Sequence, residues 1–277
     1  MSVPLALPSA LAYGIADFTG GLAARRTPVI VVTVIAQLAG FVTLIPALFL
    51  VPAPPTVAAL LCGLLVSAAG TAGVMLYLRG LAVGPMGLVA PLSAVVGAGL
   101  PLAVGVVNGE RPGQLAWLAV GLALVAIVLA TMGTDRVTGA RTGILLGLGA
   151  GVGFGLFFVA LDASPAGSGL WPLVSGRLAT AVVLGTVVLS RPGLRGVPAR
   201  GVLWLGVASG MLDTVANALF LLATRAGDLG LTSVVVSLYP VVVVVLARFV
   251  LHERLSGLQL TGTGLALGAS VLLAAAG

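Results

Sequence analysis

Apolar residues fill both odd and even positions of this 277-residue chain for about 20 residues at a time, and short clusters of Pro, Gly and Arg separate the runs. A half-wet strand, or the wall of an outer-membrane barrel, alternates apolar and polar positions instead. A bilayer-crossing helix needs roughly 20 apolar residues. The pattern therefore predicts ten helices, over 7–24, 29–51, 57–78, 86–107, 113–132, 142–161, 171–190, 201–223, 229–251 and 257–276. All connections are short, and no soluble domain fits beside the spans.

Composition sharpens this picture without changing it. Hydrophobic residues make up 60% and charged residues 7% of the chain, whereas a soluble domain carries about a quarter of its residues as charges. The 13 basic residues are all Arg, and against 7 acids they leave a net charge of +6. Such an excess would point to nucleic acid in a soluble chain. Here the arginines stand one or two at a time between apolar blocks, as topology signals and interfacial anchors, so nucleic acid is not an expected partner. The single Cys62 lies inside an apolar block, so there is no disulfide framework and no zinc spacing, and neither a metal nor another cofactor is expected. The first 24 residues lack a charged leading segment and hold Asp17, which reads as a first helix and not a cleaved signal.

The chain repeats itself. Glu110-Arg111 follows one long span, and Glu253-Arg254 follows another 143 positions later. At the same offset Gly84, Gly87, Leu88, Gly121, Leu122, Ala123 and Leu124 meet Gly227, Gly230, Leu231, Gly264, Leu265, Ala266 and Leu267. Gly, Leu and Ala are common enough here to coincide, but the matched Glu-Arg pair and the equal division favour a true repeat. Residues 1–134 and 135–277 then hold five helices each, and an odd number forces the second copy to enter from the opposite side. The expected fold is an all-α integral membrane protein with ten transmembrane helices in two inverted five-helix repeats, an architecture of secondary transporters.

Gly14 to Arg26, Asp213 to Arg254 and the stretch ending each half carry a further signal. The second half runs Ser237-Leu238-Tyr239-Pro240, then an apolar stretch, then His252-Glu253-Arg254-Leu255-Ser256. With these motifs the chain resembles the EamA-type transporters of the drug/metabolite transporter superfamily over nearly its whole length. Gly97 stands where the first half would match Pro240, with Pro91 and Pro101 nearby, so the two halves differ there. The resemblance implies two five-helix halves, export without nucleotide hydrolysis, and a cytoplasmic N terminus. Gly14 to Phe18 and Leu212 to Asn217 match its Gly-x-x-Asp-Phe and Leu-Asp-x-x-x-Asn patterns.

Ionisable groups inside spans mark candidate chemistry, because each costs about 2.5 to 3.5 kcal/mol on insertion scales unless paired or hydrated. Three lie well inside: Asp17, Arg177 and Asp213. Tyr13 shares a helix face with Asp17, and Asn217 shares one with Asp213. Gln37, Ser93, Ser233, Ser237 and Tyr239 are further polar residues within spans, and Ser175 and Thr180 flank Arg177. The functional reading gathers Asp17, Arg177, Asp213, Asn217, Tyr13, Gln37, Ser93, Ser237 and Tyr239 around a midplane cavity. Arg177 could receive a carboxylate or phosphate, and either Asp could bind an ammonium group or carry a coupling proton or cation. The bland reading is an internal ion pair that only fixes packing; the second Asp, left over, tilts the balance towards function.

Glu110 and Glu253 sit at turns, where the dipole of the following helix favours them, and His252 reads as a solvated loop residue. Gly143, Gly147, Gly151 and Gly155, with Gly149 and Gly153 between, form a small-residue face for close helix packing.

The expected function is a secondary transporter, no enzyme, that moves a small metabolite such as an amino acid by rocking its halves in the cell membrane. A homo-oligomer is compatible with such a bundle. Two other classes compete. An intramembrane aspartyl protease needs Tyr-Asp and Gly-x-Gly-Asp, yet Tyr13 stands four residues before Asp17 and Gly210-Met211-Leu212 precedes Asp213. A passive channel or lipid scramblase would use the same helices without saturation. The arginines oppose the implied orientation: with a cytoplasmic N terminus, the cytoplasmic loops hold Arg111 and Arg225, against Arg25, Arg26, Arg79, Arg136, Arg141, Arg191, Arg195, Arg200 and Arg254 outside.

Overall fold

A computed structural model describes residues 3–50, 52–107, 113–131, 139–162, 165, 167–226, 236 and 238–276. Among these lie ten α-helices: α1 (Val3–Ala24), α2 (Val29–Leu50), α3 (Val57–Val83), α4 (Met86–Val107), α5 (Gln114–Thr131), α6 (Ala140–Asp162), α7 (Trp171–Ser190), α8 (Arg200–Ala226), α9 (Tyr239–Val250) and α10 (Gly257–Ala276). Six of them are long and apolar enough to cross a bilayer. Large apolar side chains such as Val42, Phe49, Leu65 and Val183 stand exposed on the bundle, as they must where acyl chains are the solvent. The chain is a multi-pass helical membrane protein.

Helix ends differ from the sequence reading at the start of α1 and the ends of α3 and α8. Helix α3 continues past residue 78, through Arg79, to Val83. It starts at Thr56, whose hydroxyl accepts from Ala59 N (3.2 Å), and ends where Gly84 N donates to the Gly80 carbonyl before Pro85. Arg79 therefore lies on a helix and not in a connection. The described part of the ninth helix begins at Tyr239, with Pro240 in the first turn where its missing N–H breaks no helical hydrogen bond; the expected start at 229 lies outside the described residues.

The helices pack mainly on partners from the other half of the chain. α1 lies along α8, α2 on α7 and α8, α3 on α6 and α7, α4 on α6, and α5 on α10. Small residues permit these close approaches. Gly153 of α6 faces Gly73 of α3 so tightly that a Cβ on Gly153 would lie 2.6 Å from the Gly73 Cα. The glycine face of α6 divides in two: Gly143, Gly147, Gly151 and Gly155 meet α4 or the turn before it, and Gly149 and Gly153 meet α3.

One polar network ties an end of the bundle together. Arg25, just past α1, donates from Nε to the Leu81 carbonyl (3.1 Å) and from Nη2 to the Gly84 carbonyl (3.2 Å) and Glu253 Oε1 (3.0 Å). Glu253 also accepts from the backbone N–H groups of Met86 (3.1 Å) and Gly87 (3.2 Å). Its carboxylate thus caps α4, a helix distant in sequence, and not the helix that follows it. The sequence reading took the nearest helix start as the partner; the fold supplies a different one, with a counter-ion. His252 is exposed and has a φ of 55°, so it serves the turn that aims Glu253 inward.

Candidate functional site

Polar side chains on α7 face two ways. Ser175 Oγ donates to the Leu60 carbonyl (3.0 Å), and Thr180 Oγ1 lies 2.7 Å from Thr71 Oγ1. Both hold α7 against α3. Arg177 points the other way, towards α2 and α8, where Nη1 donates to Gln37 Oε1 (3.3 Å) and Nη2 pairs with Asp213 Oδ2. Asn217, one turn after Asp213, donates to the Asp213 carbonyl oxygen (2.7 Å) and to Oδ2 (3.3 Å). Gly40 makes room for the guanidinium: a Cβ there would overlap Arg177 Nη1 and lie 2.8 Å from Thr214 Oγ1. Thr214 Oγ1 in turn donates to the Gly40 carbonyl (3.2 Å), which keeps α2 and α8 in register at this level.

The pair is not symmetric in its surroundings. The Arg177 side chain is 13% exposed, and that of Asp213 is 38% exposed. Asp213 stands at the centre of α8, where an ionised carboxylate facing lipid is strongly disfavoured.

A second group surrounds Asp17. Tyr77 of α3 donates to Asp17 Oδ2 (2.7 Å), and its ring meets Phe154 of α6 nearly edge-on at 5.6 Å. Tyr13, one turn before Asp17, has its ring 5.9 Å from that of Tyr239 at the start of α9. Gly14 lets α9 come this close, since a Cβ there would overlap Val242 and lie 2.8 Å from the Tyr239 carbonyl oxygen. The two groups lie near each other. Tyr13 lies within electrostatic reach of Asp17, Asp213, Arg177 and Tyr239, and Asp17 within reach of Asp213. No hydrogen bond joins the two carboxylates among the described residues; each has its own partner.

Not every candidate joins this cluster. Ser93 is fully buried on α4, against α6, with its hydroxyl unpartnered among the described residues. No hydrogen bond ties it to the aspartates. Ser233 and Ser237 lie outside the described residues. Tyr77, Gly40 and Thr214 are members that the sequence reading passed over. Tyr77 carried one usable signal, because it is one of only three tyrosines in the chain and all three lie within electrostatic reach of Asp17. Gly40 carried none among 40 glycines. No set of three or more potential metal ligands assembles among the described residues.

Comparison with known proteins adds identity to this geometry. No curated protein matches the chain at a significant level. One solved crystal structure superposes with a TM-score of 0.62 over 98% of this chain and 96% of the other, at 17% identity, which is a likeness of fold. Residues 141–275, which hold Arg177, Asp213, Asn217 and Tyr239, match the EamA-like transporter family. This half of the chain belongs to the EamA-like transporter family, which supports reading the protein as an EamA-type member of the drug/metabolite transporter superfamily.

Proposed function

We propose that this protein is a secondary transporter that exports a small metabolite, an amino acid or a related compound, by alternating access around the cluster of Asp17, Arg177 and Asp213. All ten helices cross the bilayer, as two inverted five-helix repeats spanning 1–134 and 135–277. The packing supports the repeat. Exchanging the halves turns the α1 to α8 contact into that of α6 with α3, and the α2 to α8 contact into that of α7 with α3; both members of each exchange occur.

The same packing supports moving bodies that differ from the sequence halves. α1, α2, α8 and α9 form one symmetric unit, α3, α4, α6 and α7 the other, and α5 with α10 lies beside them. The carrying observation is where the buried polar bonds fall. Asp17 and Asp213 both belong to the first unit, whereas their partners Tyr77 and Arg177 belong to the second. Every rearrangement that opens the interface exchanges these two bonds for water or substrate. A pair placed only for packing would have no reason to straddle that seam twice. Glu253 of the α9–α10 turn binds the α4 start across the same seam at one end, a polar contact that can break and re-form in contact with water.

Proteoliposomes holding the purified protein test this reading. Saturable flux of metabolites from a mixed pool is expected, reduced at least tenfold by Asp17→Asn and by Arg177→Ala. Flux that is unsaturable, or equal to wild type in Asp17→Asn, Asp213→Asn and Arg177→Ala alike, sinks it and favours a channel.

A further inference from the structure

We propose that the site selects an organic amine, a single ammonium group carried on an aromatic or apolar body, with Asp17 as its counter-ion. This rests on the transport reading above and narrows its substrate class. The charges decide it. Arg177 is the one cation among the three ionisable groups inside the spans, and its Nη1 and Nη2 already donate within the protein, to Gln37 and Asp213. The α2 backbone at Gly40 runs so near the guanidinium that even a Cβ would not fit between them, and little of the side chain is open. Arg177 is therefore not offered to a substrate carboxylate. With Arg177 and Asp213 cancelling, the cluster keeps the formal charge of Asp17.

Asp17 has unused capacity. An ionised carboxylate accepts about four hydrogen bonds, and Tyr77 is its one hydrogen-bond donor among the described residues. The other walls nearby are phenols: Tyr13 and Tyr239 adjoin each other and both lie within electrostatic reach of Asp17. Aromatic faces attract an ammonium group through their quadrupole, and the phenol oxygens can accept its hydrogen bonds. A carboxylate substrate meets an acidic site with its only cation already paired. A zwitterion satisfies its ammonium group here but brings its carboxylate beside Asp17, with Asp213 already holding the one cation. The amine is the class that matches the charge of the cluster.

Three probes sharing one skeleton isolate the charge class: phenethylamine, phenylalanine and 3-phenylpropionate. Binding to the full-length protein in detergent is measured by calorimetry, and uptake in proteoliposomes by radiolabel. Phenethylamine is expected to bind at least tenfold more tightly than the other two, with Asp17→Asn losing at least tenfold and Asp17→Glu recovering most of it. Thermal unfolding of each variant shows that loss of binding is not loss of fold. Equal or tighter binding of phenylalanine or 3-phenylpropionate overturns the proposal, as does phenethylamine binding unchanged in Asp17→Asn or absent in wild type. If phenethylamine binds through Asp17 but none of the three is carried across the membrane, the amine site stands and the transport reading falls. Saturable flux of the zwitterion alone leaves the transporter and removes the amine.

Discussion

At the scale of single residues, the fold spends its few polar groups on each other. Arg177 and Asp213 form a partly buried pair, and removing one partner strands the other in a low-dielectric interior. Arg177→Ala should lower stability by about 1 to 3 kcal/mol, below the 3 to 5 kcal/mol of a fully buried pair, because Asp213 retains open area. The double variant Arg177→Ala with Asp213→Ala should recover part of that loss. Thermal unfolding in one detergent measures both, and additive losses would show that the pair is not coupled. Gly40→Ala provides a subtler probe, since its methyl group displaces the guanidinium and not the charge. It should impair substrate flux more than it lowers the unfolding temperature. Asp17, Arg177 and Asp213 were legible as residues because charges inside apolar runs stand out. Tyr77 and Gly40 were not, because an apolar helix tolerates both types anywhere and only the neighbouring helix gives them meaning.

At the scale of elements, apolar length and Pro, Gly and Arg punctuation located helices well, and errors gathered at their ends. Arg79 looked like a boundary because it is charged, yet α3 carries it for another turn. Long arginine side chains reach interfacial water from a helical position, so a charge near a span end does not terminate it. Glu253 shows a different limit. Its neighbour in sequence is the start of α10, but the N–H groups it binds belong to α4. Glu253→Ala would leave the buried Met86 and Gly87 donors unpaired and Arg25 without its carboxylate. A loss of about 1 to 3 kcal/mol is expected, with faster hydrogen exchange at the start of α4. Unchanged exchange there would mean that water replaces the carboxylate freely. Gly143 to Gly155 did reveal a packing face, but which glycine meets which helix follows from the two partners, α3 and α4.

At the scale of the whole molecule, interleaving of the halves makes a mechanical prediction. A disulfide between Gly20→Cys and Ser209→Cys joins α1 to α8 within one proposed unit, at a point where the two residues touch. A disulfide between Leu44→Cys and Val174→Cys joins α2 to α7 across the seam, within one apolar cluster. In a Cys62→Ser background the first should leave flux near wild type and the second should stop it until reduced; loss of flux in both would return the motion to the sequence halves, because both pairs join 1–134 to 135–277. Arginines set a second prediction. Arg25, Arg26, Arg141, Arg191, Arg195, Arg200 and Arg254 all fall at the helix ends that meet around Glu253, because successive helices alternate in direction. The positive-inside rule places that end in the cytoplasm, so reporter fusions at Gly277 should report the opposite face. A cytoplasmic reporter would show that family topology outweighs the charge bias.

Membrane residence, helical class and the three charges inside apolar runs were determined by the sequence alone. Hydrocarbon demands internally bonded backbone and penalises unpaired charge, and both demands act locally along the chain. Partnership is not local. That Asp213 takes Arg177 and Asp17 takes Tyr77, that Glu253 caps α4, and that each helix leans on the other half were decided by the tertiary structure. An apolar helix presents nearly equivalent faces in sequence, and only close approach at glycines such as Gly40, Gly73 and Gly153 selects the face that is used.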